Sequence, residues 1–140
     1  MEPNIHGRDQ GDWIDELIAA FNTHDATEVA TFMTDDAEYI CWSGDAWGAT
    51  RGKESIVHVL DGYDKELSSD FRLQRKFAVI TEEGFAVEYH ESGTHDRGSN
   101  PSGKSFSLRN VMFGELRNGK IARMTDYSDV TAFRAQTSLA

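Results

Sequence analysis

The pair Asn118-Gly119 constrains the fold of this chain more than any other feature of its sequence. Asn and Gly readily adopt the positive backbone φ angles that a two-residue hairpin requires, and here they separate two apolar segments. The sequence therefore predicts adjacent antiparallel strands over Val111 to Leu116 and Ile121 to Tyr127. Asp126 then lies within a strand. Because burying an unpaired carboxylate is costly, this Asp indicates either a solvent-facing strand surface or a functional site.

Length and charge limit the class of protein. A chain of 140 residues fits one domain, which we predict over residues 11–137 after a flexible tail at residues 1–10. The 14 basic and 24 acidic residues give a net charge of −10, which disfavours nucleic acids and anionic membranes as partners. No apolar run approaches the ~18 residues of a membrane span, and the single Cys41 cannot form an internal disulfide. These properties favour a cytoplasmic protein.

The spacing of apolar residues predicts helices in the first half of the chain and strands in the second. Helical spacing covers Asp12 to Asn22 and Lys53 to Leu67. Asp25, with Glu28 three residues later, resembles a capping box and predicts a short helix between these two. The other predicted elements are strands at Ala37 to Trp42, Phe71 to Ile80 and Phe85 to His95, a loop from Ser43 to Gly52, and the hairpin.

This order of elements predicts an α+β domain. Three N-terminal helices would pack on one side of a strongly curved, mixed or antiparallel sheet, with a short helix at the C-terminal end. Such a sheet forms a cone whose own side chains cannot fill it, and pockets of this kind are usually apolar with a few directed polar groups. Trp42 and Trp47, on either side of Gly44, suit the rim of the pocket. The sequence is equally compatible with both indoles plugging the core.

Several short segments of the chain resemble one superfamily. They are Phe21-Asn22-Thr23-His24-Asp25, Asp35-Asp36-Ala37, Gly48 to Gly52, Gly93-Thr94-His95, Pro101-Ser102-Gly103-Lys104, and Asn118-Gly119-Lys120-Ile121 followed by Asp126. In this order they are similar to the nuclear transport factor 2-like superfamily, and within it to the SnoaL-like polyketide cyclases and the limonene epoxide hydrolases. The resemblance implies the fold from about Trp13 to Gln136. It leaves the reaction open, because one such cone hosts isomerases, cyclases, dehydratases, epoxide hydrolases and binding proteins.

The resemblance implies one functional residue directly. In the cyclases and epoxide hydrolases the strand after the Gly-Lys-Ile turn carries an inward acid or base, and Asp126 matches it. Tyr39 matches a tyrosine of the epoxide hydrolases, but Cys41 replaces their asparagine, and the strand Glu88 to Ser92 lacks their Arg and second Asp. Cys41 and Met112 stand where ketosteroid isomerases place their base and acid donor. Both of those reactions are therefore disfavoured.

Strand parity and the resemblance together predict which side chains share the pocket with Asp126. Side chains two apart face the same side of a strand, which adds Met124 and Ser128. The resemblance adds Glu88, His90, Ser92, Leu108, Asn110 and Met112 from the neighbouring strands. A carboxylate beside the His90 imidazole is suited to proton transfer, with Asn110 and Tyr39 as donors to a developing oxyanion.

These assignments have structural alternatives. Asp126 can instead be held by Arg109, Arg123 or a backbone amide. His90 can be an ordinary hydrogen-bonded residue, and a register slip of one position would turn Glu88 outward.

The sequence does not support a metal or another cofactor. His90-Glu91 and His95 miss the zinc-binding spacing by one residue, and the two His would point to opposite faces of a strand. Cys41 fits a small buried apolar group better than an activated thiolate.

Two classes of function remain. The first is a cofactor-independent acid/base enzyme that cyclises, isomerises or dehydrates an apolar oxygenated small molecule, such as a polyketide or terpenoid. The second is a small-molecule-binding or dimeric scaffold protein with the same fold. Arg109, Val111 and Phe113 would lie on the outer face of the sheet. Exposed apolar groups on a sheet usually mean a partner, and together with the resemblance they predict a homodimer.

Overall fold

The computed structural model describes residues 10–42 and 47–138. Within these ranges the helices are α1 (Gln10–Asn22), α2 (Ala26–Ala30), α3 (Lys53–Glu66) and α4 (Val130–Thr137). The strands are β1 (Met33–Trp42), β2 (Trp47–Arg51), β3 (Arg72–Ile80), β4 (Gly84–Thr94), β5 (Ser105–Arg117) and β6 (Lys120–Tyr127). Apart from Gln10, which begins α1, the predicted N-terminal tail lies outside the described residues.

The six strands form one curled sheet in the order β2-β1-β6-β5-β4-β3. β1 and β6 run parallel, and every other neighbouring pair is antiparallel. This confirms the predicted mixed α+β fold. No helix in the described ranges is long and apolar enough to cross a membrane.

The hairpin predicted from Asn118-Gly119 is confirmed. Both turn residues have positive φ angles, 53° and 75°, and the flanking Arg117 and Lys120 are paired across β5 and β6. Along β5 every second residue is buried, so one face of this long strand packs inward and the other faces outward. The turn thereby fixes which side of β6 receives Asp126.

The predicted loop from Ser43 to Gly52 contains a strand. Trp47–Arg51 forms β2, an edge strand paired antiparallel to β1. The glycines at positions 48 and 52 had indicated a loop, but pairing with a neighbouring strand outweighs weak local β-propensity. Gly52 follows β2, and residues 43–46, which include Gly44, lie outside the described ranges.

The link between α1 and β3 positions one wall of the interior. Asn22, the last residue of α1, donates from Nδ2 to the carbonyl of Leu73 at 2.9 Å and accepts from its amide at 2.8 Å. β3 is an edge strand, so these two bonds satisfy backbone groups that would otherwise be unpaired. Asp25 then caps α2 by accepting from the amide of Thr27 at 3.0 Å, as predicted for the start of this helix. Its own amide donates to Oγ1 of Thr23 at 3.1 Å, in place of the bond to Glu28 that a capping box would have.

The sheet is tightly packed at Gly114 of β5. A Cβ atom there would lie 2.6 Å from the Phe85 ring and 2.7 Å from the carbonyl oxygen of Arg123. Since one of these atoms is backbone, we expect Gly114→Ala to lower the free energy of unfolding by about 2 kcal/mol.

The control for this prediction is Gly62→Ala in α3, where an added Cβ has no neighbour within 4 Å. Helix propensity should make that change neutral or stabilising by about 0.5 kcal/mol. Denaturant unfolding of both variants tests the prediction, and equal effects would contradict it.

Candidate active site

A cavity of about 350 Å³ opens between the inner face of the sheet and the helices. Most of its lining side chains are apolar or aromatic, among them Phe21, Phe71 and Phe133. Of the five carboxyl groups in this wall, two come from the sheet, those of Asp126 on β6 and Glu91 on β4. A cavity of this kind, apolar with a few convergent polar groups, is typical of small-molecule sites.

Asp126 is held by two tyrosines. The hydroxyl of Tyr89 donates to Oδ1 at 2.6 Å, and the hydroxyl of Tyr39 donates to Oδ2 at 3.3 Å. Burial raises the pKa of Asp126 to about 6, and the two hydrogen bonds act in the opposite direction. Removal from water therefore outweighs two donors in setting the acidity of this group.

Neither arginine considered as a structural partner pairs with Asp126. Arg109 forms an ion pair with Glu88 at 2.9 Å, and Arg123 forms one with Glu115 at 2.8 Å. Among the residues that the structure describes, no cation forms an ion pair with Asp126. In this part of the chain its charge is thus stabilised by the neutral hydroxyl donors of two tyrosines.

Glu91 is the second acidic group that the sheet contributes to the cavity. Burial, and then the nearby charge of Asp126, raise its pKa to about 7. Nδ2 of Asn110 donates to Oε1 of Glu91 at 3.2 Å, which limits this rise. Near neutral pH the pair therefore supplies one mainly ionised and one partly protonated carboxyl group.

Tyr89 stands between these two acids and remains a donor. It is fully buried on the inner face of β4, opposite Asn110 of β5. Burial, followed by the charges of Asp126 and Glu91, raises the pKa of Tyr89 well above its ordinary value. Its hydroxyl consequently keeps its proton over the physiological pH range and continues to donate to Asp126.

Asn110 joins this pair of acids to the last helix. Its Oδ1 accepts from the backbone amide of Asp129 at 2.9 Å, while its Nδ2 bonds Glu91. Asp129 in turn caps α4 by accepting from the amide of Ala132 at 2.9 Å. Asn110 is buried and does not line the cavity, so the predicted role as a direct oxyanion donor does not fit its position.

The prediction that Glu88 and His90 face the pocket is wrong, as is that for Ser92. Tyr89 and Glu91 line the cavity instead, and Glu88 lies with Arg109 on the other face of the sheet. His90 and Ser92 border a separate groove beside α1 and β3. The alignment to the resembled family was shifted by one residue along β4, and a shift of one residue exchanges the two faces of a strand.

The other predicted pocket residues divide into three groups. Tyr39, Cys41, Met112, Leu108 and Ser128 line the cavity with Asp126. Met124 is fully buried in the core and does not line it. The side chains of Trp42 and Trp47 lie outside the described part of the chain, so the choice between pocket rim and core plug stays a prediction.

Sequence reasoning missed Tyr89 and Glu91, although a signal for them was present. Phe85, Val87 and Tyr89 alternate along β4, and this apolar pattern marks the buried face of a strand. Glu91 continues the same face. Within the described ranges, His, Cys, Asp and Glu form no cluster of three that could hold a metal ion.

The raised pKa of Asp126 makes the folding stability depend on pH. Asp126 binds its proton more tightly in the folded chain, with a pKa of about 6, than in the unfolded chain, where the ordinary value is 3.8. Its contribution to the free energy of unfolding is complete below about pH 4 and is lost as the pH rises through about 6. We expect Asp126→Asn to reduce the loss of stability between pH 4 and pH 8 by about 2 kcal/mol.

Denaturant unfolding at these two pH values measures the change. Glu88→Gln removes an equal charge on the outer face, where the ion pair with Arg109 is solvent-exposed, and should keep the wild-type pH dependence. An Asp126→Asn variant that loses as much stability as the wild type would contradict the burial of this charge.

Several solved structures have a fold similar to that of this chain. IdmH from Streptomyces antibioticus, a candidate polyketide cyclase, is 25% identical with a TM-score of 0.76, over 92% of this chain and 98% of that one. A hypothetical protein with a ketosteroid isomerase-like fold from Catenulispora acidiphila, solved in complex with trimethylamine, is 16% identical with a TM-score of 0.77, over 100% and 96%. TerC, co-crystallised with polyporic acid, is 23% identical with a TM-score of 0.73, over 89% and 95%.

Among curated proteins, none matches this sequence. The profile of the SnoaL-like domain matches residues 14–124, which include every strand except the end of β6. The segments that carried the resemblance mostly fall within this range. The chain therefore belongs to the SnoaL-like domain family.

Proposed function

We propose that this protein is a cofactor-independent acid/base enzyme that cyclises, isomerises or dehydrates an apolar, oxygenated small molecule. The observation that carries the proposal is the carboxyl group of Asp126, which lies in a largely apolar cavity and is bonded by two tyrosine hydroxyls. A structural carboxylate is normally paired with a cation or exposed to water. A buried carboxylate that borders an open cavity is instead equipped to exchange a proton with a ligand.

Asp126 acts as the base in this mechanism. With a pKa of about 6 it is about nine-tenths ionised at pH 7. Removal of a proton from a carbon next to a carbonyl group leaves an enolate. In cyclisation the enolate attacks a second carbonyl group of the same molecule. In dehydration it expels a hydroxyl group from the neighbouring carbon, which leaves as water with a proton from the general acid, and in isomerisation it takes up a proton at another carbon. Tyr89 and Tyr39 keep the carboxylate in place, because each donates to a different oxygen of Asp126.

Glu91 supplies the complementary acid. Its pKa of about 7 leaves roughly half of the side chains protonated at neutral pH, so that it can deliver a proton to the developing oxyanion. The surrounding apolar wall keeps water away from the enolate. Two of the similar structures support an oxygenated small molecule as the substrate, since IdmH is a candidate polyketide cyclase and TerC was crystallised with polyporic acid.

The alternative function is a binding protein that has the same cavity and performs no reaction. Both oxygens of Asp126 already accept a hydrogen bond, and a carboxylate fixed in this way is also suited to hold a ligand. Proton transfer separates the two functions, because only the enzyme requires Asp126 to change its protonation state during turnover.

A generic proton-abstraction substrate tests the proposal without knowledge of the natural one. 5-Nitrobenzisoxazole opens to a coloured cyanophenolate when a base removes the proton on C3 of its isoxazole ring and the N–O bond breaks. We expect the wild type to accelerate this reaction, with a rate that rises through about pH 6 as Asp126 ionises. Asp126→Asn should lower kcat/KM by about 10²-fold to 10⁴-fold.

The matched control is His90→Gln, which alters a titratable group of the same sheet outside the cavity. It should keep the wild-type rate. A rate that depends on His90, or that survives loss of the Asp126 carboxylate, would refute the assignment of Asp126 as the base.

We also propose a homodimer through the outer face of the sheet. Val111, Phe113 and Tyr127 are exposed there by 40%, 38% and 37%, and the last two rings stack at a centroid distance of 5.6 Å. Tyr127 lies opposite Val111 in the β5–β6 pairing, so the three form one continuous patch. Contiguous exposed apolar groups of this kind favour association.

A charge within this patch should disrupt the dimer. We expect Val111→Asp to convert the protein to monomers in analytical ultracentrifugation at micromolar concentration, because an unpaired charge would be buried at the interface. Ser55→Asp, at an exposed position of α3, adds the same charge elsewhere and should remain dimeric. A monomeric wild type would contradict the proposal at once.

A further inference from the structure

The charges around the cavity are strongly unbalanced. Five acidic side chains line it, against one arginine and one histidine. The acidic residues are Asp25, Asp61, Glu91, Asp126 and Asp129, and the others are Arg134 and His24. An anionic ligand would meet this negative field in a site of low dielectric constant, where repulsion is stronger than in water.

The outer acids of this set have structural roles. Asp25 and Asp129 cap α2 and α4, and Asp61 pairs with Lys65 at 2.7 Å. These contacts account for their presence without any ligand. The two inner acids differ from them and therefore carry the inference.

Asp126 and Glu91 bring two carboxyl groups into one apolar cavity with only neutral partners. Asp126 is bonded by tyrosine hydroxyls and Glu91 by the amide of Asn110. Within residues 10–42 and 47–138, neither of the two forms an ion pair with a cation. No cation among these residues offsets their mutual repulsion, and the cavity has room for a group that would do so.

We propose that the ligand of this cavity carries an organic ammonium group, which binds beside Asp126 and Glu91 with its apolar substituents against the aromatic wall. The inference rests on the proposed function only in assigning the natural substrate to this cavity. It narrows that substrate from any apolar oxygenated molecule to one that bears a basic or quaternary nitrogen.

The energetics favour this class of ligand. Binding a cation usually requires that its carboxylate partner be removed from water, but in this protein folding has already buried that partner. An ammonium ion with bulky apolar substituents is weakly hydrated and loses little on entering the cavity. Its positive charge is also attracted by aromatic rings, which Phe21, Phe71 and Phe133 provide in addition to the two tyrosines.

The affinity for such a ligand should rise with pH. The groups that face the cavity are His24 and Asp25 before α2, Tyr39 and Cys41 of β1, Asp61 of α3, Tyr89 and Glu91 of β4, Asp126 of β6, and Asp129 and Arg134 at α4. Burial raises the pKa of Asp126 to about 6 and that of Glu91 to about 7. A permanent cation binds their ionised forms, so its affinity should be about tenfold weaker at pH 5 than at pH 7.

Two probes of the same shape test the proposal. Phenyltrimethylammonium and tert-butylbenzene differ mainly in the charge of the central atom, and their binding to the full chain can be followed by NMR titration. We expect the cation to bind at least about tenfold more tightly at pH 7, a preference of about 1.4 kcal/mol. Asp126→Asn should remove most of this preference and leave the affinity for tert-butylbenzene within a factor of about two.

Glu88→Gln controls for the net charge of the protein, because it removes one negative charge on the outer face. It should keep the preference for the cation. Equal binding of the two probes, or equal loss of the preference in both variants, would overturn the proposal.

The outcome is independent of the test for catalysis. Selective binding of the cation without proton abstraction would support ammonium recognition and refute the proposed enzymatic activity. Proton abstraction without a preference for the cation would support the enzymatic activity and refute ammonium recognition.

Discussion

The hydrogen bond from Tyr89 to Asp126 is the contact on which the candidate site depends. It joins β4 to β6 across β5 at a distance of 2.6 Å, on the inner face of the sheet. Burial raises the pKa of Asp126 and this donor lowers it, so that the carboxyl group is mainly ionised at neutral pH and can serve as a base. The same burial that makes the group costly to ionise also places its pKa near physiological pH.

Asn110 connects the candidate site to the start of α4. It is buried, and its amide group bonds both Glu91 and the backbone of Asp129. The position of the second acid is therefore linked to the start of α4, which contributes Val130 and Phe133 to the cavity wall. A change in the seating of this helix would alter the environment of Glu91 and the shape of the pocket together.

The backbone of this site could be predicted from sequence to a large extent. The Asn118-Gly119 turn fixed the β5–β6 pairing, and parity then placed Asp126 on the inner face, because turn geometry and side-chain period leave little freedom. β2 was missed because its glycines resemble a loop, and only pairing with β1 makes it a strand. The pKa values could not be predicted, since they depend on burial and on partners such as Tyr89 that are distant in sequence.

The error on β4 changes the chemistry of the site as well as its list of residues. A histidine beside Asp126 would have placed a group of opposite charge next to the acid, which lowers the pKa of the acid. Glu91 in that place does the opposite, because the charge of Asp126 raises the pKa of Glu91 and the two carboxyl groups concentrate negative charge. A single step of strand register thus separates a site with a histidine beside Asp126 from a site with a second carboxyl group there. The alternation of Phe85, Val87 and Tyr89 already decided between them, since apolar side chains identify the inner face more directly than alignment to a distant family.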